Sequence, residues 1–149
     1  MYYSKCNVGY VLRIEIGEEI QETLRQFAHE VGLKGAFYQG IGMLTQVELA
    51  FFCSESKEYE RKFFDGEYEL TALMGNLSAH DGVVIPHTHV SIADKEYRTC
   101  SGHLVRGVVP VTAEIFLTTL DISLSRKEDP FLKYKGLITP RRTHFKITV

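Results

Sequence analysis

Two short segments carry the residues whose types and spacing can do chemistry. Pro86-His87-Thr88-His89-Val90 sets two imidazoles one residue apart, and Gly102-His103-Leu104 supplies a third. Alternate side chains of a β-strand share a face, so His87 and His89 project together, ~6.5–7 Å apart along the chain. From that separation their nitrogens can converge on one divalent ion at ~2.0–2.1 Å, zinc being the usual choice for such donors. His103 joins them if the chain doubles back between the segments, and Ala93-Asp94-Lys95-Glu96-Tyr97 is the polar stretch where it can. A hairpin centred on Glu96 sets His103 directly opposite His89. A two-residue loop at Lys95-Glu96 shifts the register by one and sends His103 to the wrong face. Metal binding therefore demands an odd-length loop, or a bulge, for which Gly102 is the natural place.

The faces can be assigned as well. Ile85, His87, His89 and Ser91 lie on one side of the strand; Val84, Pro86, Thr88, Val90 and Ile92 on the other. The second set is the better core face, so the histidines are expected to line a cleft. Two other strand-like runs offer carboxylates at alternating positions, Glu69 beside Thr71 and Glu114 beside Thr112. Either glutamate can serve as a fourth ligand, as a partner fixing a histidine tautomer, or as a general acid or base. Asn76 and Thr112 are candidates to orient a bound small molecule. His29, His80 and His144 read as surface or hydrogen-bonded histidines. Gly35, Gly40 and Gly42 do not form the GxGxxG pattern, so no dinucleotide site is implied.

These residues need elements to position them. Val8–Ile16 reads as a first strand, and Gly17 punctuates it. Ile20, Leu24, Phe27, Ala28 and Val31 recur at helical spacing, which predicts a helix over Glu18–Val31. Glu18, Glu19 and Glu22 suit its positive end, and Gly32 suits the position just past its last turn. Strands are expected at Gly35–Met43, Gln46–Cys53, Tyr59–Phe64, Glu67–Asn76, Val83–Ala93, Arg98–Val109 and Val111–Ile122. Asp65-Gly66 is the turn pair expected to make a hairpin between two of them. Lys127–Thr139 reads as a docked loop, Thr143–Val149 as a last strand, and Arg141 and Arg142 as ordinary solvated charges, with the rim of an anion site as the alternative. The sum is one α+β domain over residues 1–149, a mainly antiparallel sheet with an early amphipathic helix.

Composition narrows the function. The chain has 149 residues, 44% hydrophobic, which suits one globular core and excludes disorder. No apolar run approaches the roughly 20 residues of a membrane helix. Met1–Cys6 lacks the pattern of a secretory signal, so a cytoplasmic location is expected. Cys6, Cys53 and Cys100 are sparse and unpaired in spacing, which reads as buried thiols rather than disulfides or a cysteine zinc knot. A formal charge of −2 gives no basic excess for holding nucleic acid through its phosphates.

In order, the helix, FYQGIGM (Phe37–Met43), YEL and MGNLS (within Tyr68–Ser78), IPHTHVSIAD (Ile85–Asp94), SGHLVRG (Ser101–Gly107) and TAEIFL (Thr112–Leu117) resemble the PPC (plants and prokaryotes conserved) domain family over about residues 8–125. The resemblance implies a sheet of about seven strands with flanking helices, assembled as a homotrimer. It also implies zinc at the positions matching His87, His89 and His103. In plants such domains sit beside AT-hooks in DNA-associated proteins; prokaryotic members usually stand alone. This chain carries no Arg-Gly-Arg-Pro hook, so direct DNA binding is not expected. The fold of the family is similar to that of acetolactate decarboxylase and of a zinc ester hydrolase. An alternative to a metal-holding assembly or small-molecule-binding module is therefore a zinc-dependent lyase or hydrolase of a small carbonyl or carboxylate compound. A cupin reading ranks last, because the spacings around Gly82 and Glu96 do not fit and no second motif follows.

Overall fold

In the computed structural model, which describes residues 1–138, the chain forms β1 (Tyr2–Cys6), β2 (Gly9–Ile14), α1 (Ile20–Glu30), β3 (Ala36–Cys53), β4 (Glu58–His80), β5 (Val83–Ala93), β6 (Thr99–Val108), β7 (Ala113–Thr119), β8 (Ser125–Glu128) and β9 (Lys135–Ile138). The strands make one sheet, antiparallel except where β4 meets β8, so the α+β expectation holds. β3 pairs with β4 along its length and with β6 in its second half, and β5 lies between β4 and β6. These four strands therefore close into a ring, with β2 and β7 extending the sheet from the first half of β3.

The helix forms as its apolar spacing requires. Ile20, Leu24, Phe27 and Ala28 are all fully buried, and α1 packs across β5 and β6. The Glu19 carboxylate caps it by accepting from the Glu22 amide at 2.8 Å, and Gly32 takes the left-handed conformation (φ 68°) that ends it. Inside the ring, Tyr38, Leu44, Leu70, Leu73, Leu77, Ile92 and Leu104 are buried to 1% exposure or less.

Several segments differ from the expectation. Asp65-Gly66 does not turn the chain; β4 runs straight through it. The pairing Thr45↔Glu67 and Val47↔Phe64 shows a one-residue bulge instead, held by Thr45 Oγ1 donating to the Gly66 carbonyl at 2.8 Å. The physical reason is that both halves of β4 find their partner in β3, which is itself continuous across residues 44–46, so a reversal would leave two long ladders unpaired. The true β3–β4 reversal is at Ser54–Lys57, closed by the Lys57 amide on the Cys53 carbonyl. Lys127–Thr139 is not simply a loop, because β8 and β9 form a hairpin within it. Tyr2–Cys6, exposed throughout and thus without alternating burial, nonetheless pairs with β2. Nine strands and one helix stand among the described residues, where about seven strands and flanking helices were expected. The expected strand Thr143–Val149, Arg141, Arg142 and His144 lie outside the described residues. No helix among the described residues is long and apolar enough to cross a membrane.

One polar chain fixes the two strands that matter most. Tyr38, fully buried in β3, hydrogen-bonds Thr88 Oγ1 at 2.6 Å; the Thr88 hydroxyl donates to Gln21 Oε1; and Gln21 Nε2 donates to the Leu104 carbonyl at 2.9 Å. Thr88 lies between His87 and His89, and Leu104 follows His103, so a single glutamine of α1 holds both. Gln21→Ala takes away the acceptor of the buried Thr88 hydroxyl and the donor to the Leu104 carbonyl, leaving Thr88 only its bond to Tyr38, and we expect it to cost about 1–3 kcal/mol in urea unfolding. A loss below measurement error would show that the chain bears no load.

Candidate metal centre

The β5–β6 hairpin meets the condition set by the sequence. Ala93 pairs with Thr99, so the loop is the five residues 94–98, and His89 lies opposite His103 without a bulge at Gly102. Asp94 builds that loop. Its carboxylate accepts from the Glu96 and Arg98 amides, each at 3.0 Å, and from Arg98 Nε at 2.8 Å. Arg98 accordingly holds the Asp94 carboxyl below its usual range. Thr88, Val90 and Ile92 point into the core, which leaves His87 and His89 on the outer face.

The three rings converge. Their centroids stand 5.1–5.5 Å apart, and one nitrogen from each lies within 4.8 Å of the other two. Nitrogens around a tetrahedral zinc are ~3.3 Å apart, so small side-chain rotations complete the set. Among the described residues no carboxylate or thiol belongs to this group. His103 Nδ1 is buried with no hydrogen-bond partner among the described residues, an orphan that a bound ion or its associated ligand would satisfy. The donor set and its spacing fit a divalent metal.

The sequence reading missed Arg126. It lies in β8, which returns alongside the end of β4, with Ser125 beside Ala79. Only 9% exposed, its guanidinium donates to Ser78 Oγ (2.7 Å), the Lys135 carbonyl (2.7 Å), Asn76 Oδ1 (2.9 Å) and His87 Nδ1 (2.9 Å). An arginine only donates, so His87 Nδ1 accepts and its neutral ring carries the proton on Nε2. Metal uptake by this ring therefore displaces either that proton or the arginine hydrogen bond. The signal in the sequence was one arginine 39 residues downstream, with nothing to show that its strand would dock beside Asn76.

Asn76 is at the site as expected, opposite His87 and lining the same cleft. Glu69, Glu114 and Thr112 are not. They line a different depression, with Ile41, Met43 and Val111, which contains none of the three histidines. The reason is register. Glu69 pairs with Ala93 and not with the histidine end of β5, and Glu114 pairs with Ile41 and Arg13 on the far side of β3. The histidine cleft, about 480 Å³, is walled instead by Tyr59, Tyr134 and the β8–β9 hairpin.

Burial, then the Arg126 guanidinium and the other imidazoles, lowers the His87 pKa from the ordinary 6.5 to about 4. His103 is lowered too, chiefly by burial. Between these values the unfolded chain binds protons that the folded one refuses, so stability falls as pH drops from about 6.5 towards 4. In metal-free protein, His87→Asn is expected to flatten that part of the urea-midpoint profile. An unchanged slope would contradict the assignment.

Comparison with known proteins agrees with this architecture. Residues 1–121 match the Plants and Prokaryotes Conserved (PCC) domain. A plant- and prokaryote-conserved protein of Pyrococcus horikoshii superposes with a TM-score of 0.83 at 33% identity, over 95% of this chain and 97% of that one. A protein of Bacteroides thetaiotaomicron, provisionally assigned as DNA-binding, gives 0.90 at 27% identity over 94% and 98%. The metal-containing protein AF0104 of Archaeoglobus fulgidus (0.82, 24% identity, 93% and 99%) shares the fold, as does acetolactate decarboxylase of Bacillus subtilis more distantly (0.54, 12% identity, 80% and 54%). Among curated proteins, the bifunctional protein GlmU of Synechococcus sp. strain JA-3-3Ab is 34% identical over 131 residues, 86% of this chain but 20% of that protein. The chain thus spans about a fifth of the length of the curated relatives it matches. With the match running from β1 through β7, the chain belongs to the Plants and Prokaryotes Conserved domain family.

Proposed function

We propose that this chain is a self-assembling domain that holds a divalent metal ion, zinc by preference, on His87, His89 and His103 and offers it to a small molecule in the adjoining cleft. The observation that carries the reading is the meeting of three imidazoles from two paired strands, clamped from behind by Gln21. A zinc ion held by three neutral ligands stays dicationic and can polarise an oxygen of whatever occupies its remaining position. The metal-containing description of AF0104 accords with this.

Binding and assembly are favoured over catalysis. A lyase or hydrolase needs a group to move protons, and Glu69 and Glu114 line another depression. Among the described residues no carboxylate lines the histidine cleft.

A second copy of the chain is the partner we propose, in a homotrimer. Val11, Phe116, Gln39, Met74, His89 and His103 form one cross-strand row from β2 to β6 on a single face. Val11, Phe37, Ile41, Met74 and Phe116 on that face are 38–55% exposed. A contiguous apolar band of this kind marks an interaction surface. DNA is not proposed as a partner, since the net charge is −2. The three cysteines are free thiols, Cys6 exposed and Cys53 and Cys100 half-buried where burial was expected, and they suit a reducing, cytoplasmic setting.

Emission spectroscopy on protein purified without chelator is expected to find about one metal ion per chain, and His103→Ala to remove it. No metal in the intact protein overturns the reading. Light scattering is expected to give the mass of three chains, lost or reduced in Phe116→Asp; a monomer at micromolar concentration overturns the assembly.

A further inference from the structure

The cleft beside the histidines is electrically one-sided. Arg126, Lys133 and Lys135 line it, and among the described residues no aspartate or glutamate does, although the whole chain is slightly acidic. Arg126 is the decisive member. It is a buried cation with no carboxylate partner among the described residues, its contacts being a hydroxyl, an amide, a carbonyl and an imidazole. Burying a charge without a counter-charge is costly, and neutral acceptors only partly offset that cost. Four of the five guanidinium N–H groups are used, and the fifth, on Nη1, has no partner among the described residues.

Cations of one sign in a concave, low-dielectric cleft concentrate anions there. The one free N–H of a guanidinium fixed in orientation by its neighbours can donate a charge-assisted hydrogen bond to one oxygen of a carboxylate or phosphate. The two lysines are exposed and stand on the β8–β9 hairpin, so their charges can close over a bound group. We infer that this cleft selects small oxyanions, taking a carboxylate or phosphate against Arg126 with Lys133 and Lys135 at the rim. The inference rests on the cleft being the binding site, as proposed above, but needs only the protein's own charges and not the metal.

Isothermal titration of the full chain, metal-loaded and metal-free, tests it with lactate, inorganic phosphate and the neutral analogue lactamide. Lactate or phosphate is expected to bind about tenfold or more tightly than lactamide in both forms, the stronger of the two naming the oxyanion. Arg126→Met should abolish the preference. Lys133→Gln with Lys135→Gln, on exposed positions that leave folding intact, should weaken anion binding several-fold and leave lactamide unaffected. Equal binding of lactate and lactamide, no anion binding, or indifference to the lysine pair overturns the inference. A protein that takes up no metal yet still prefers the anion removes the metal reading alone; a metal-loaded protein without that preference removes this one alone.

Discussion

The register of β5 against β6 is the constraint on which the site depends. His87 and His89 share a face by the period of the strand, but His103 reaches them only because the connecting loop has an odd number of residues. Asp94 sets that number by gathering the amides of Glu96 and Arg98 onto one carboxylate. Behind the strands, the chain from Tyr38 through Thr88 and Gln21 to the Leu104 carbonyl ties both to α1. A one-residue slip would break this chain and turn His103 inward at once. Packing reinforces the same register where Gly75 passes β5. A Cβ there would stand 2.3 Å from the His87 carbonyl oxygen and 2.6 Å from the Tyr38 hydroxyl, so no side chain fits.

Around this frame the electrostatics are unusual in sign. A histidine ligand more often has its second nitrogen bound to a carboxylate or carbonyl, which raises its basicity. Here His87 faces a guanidinium, which lowers it. The arrangement favours a neutral ring at physiological pH, with its proton on Nε2 until metal uptake moves that proton or releases the guanidinium, and it puts fixed positive charge beside the ion's position. Both features suit a cleft that receives anions rather than one that generates a strong base.

Much of this was legible beforehand, for physical reasons that differ by element. Ile20, Leu24 and Phe27 reported α1 because a single helix packed on a sheet shows its period plainly. The His89–His103 pairing could be counted from residue numbers, since a short hairpin leaves few registers. Asp65-Gly66 misled because turn-forming residues also make bulges, and only the long partner strand β3 decides between the two. Glu69 and Glu114 misled because sharing a face of a large sheet does not mean sharing a place on it. Arg126 was invisible for a related reason: its role comes from a non-local strand pairing, and neither its neighbours nor its spacing encode that.

X-ray absorption at the metal edge, on protein as isolated, addresses the central claim most directly. The scattering of three imidazoles around a single ion is the predicted result. A first shell of sulfur, or of oxygen alone without imidazole, would contradict it.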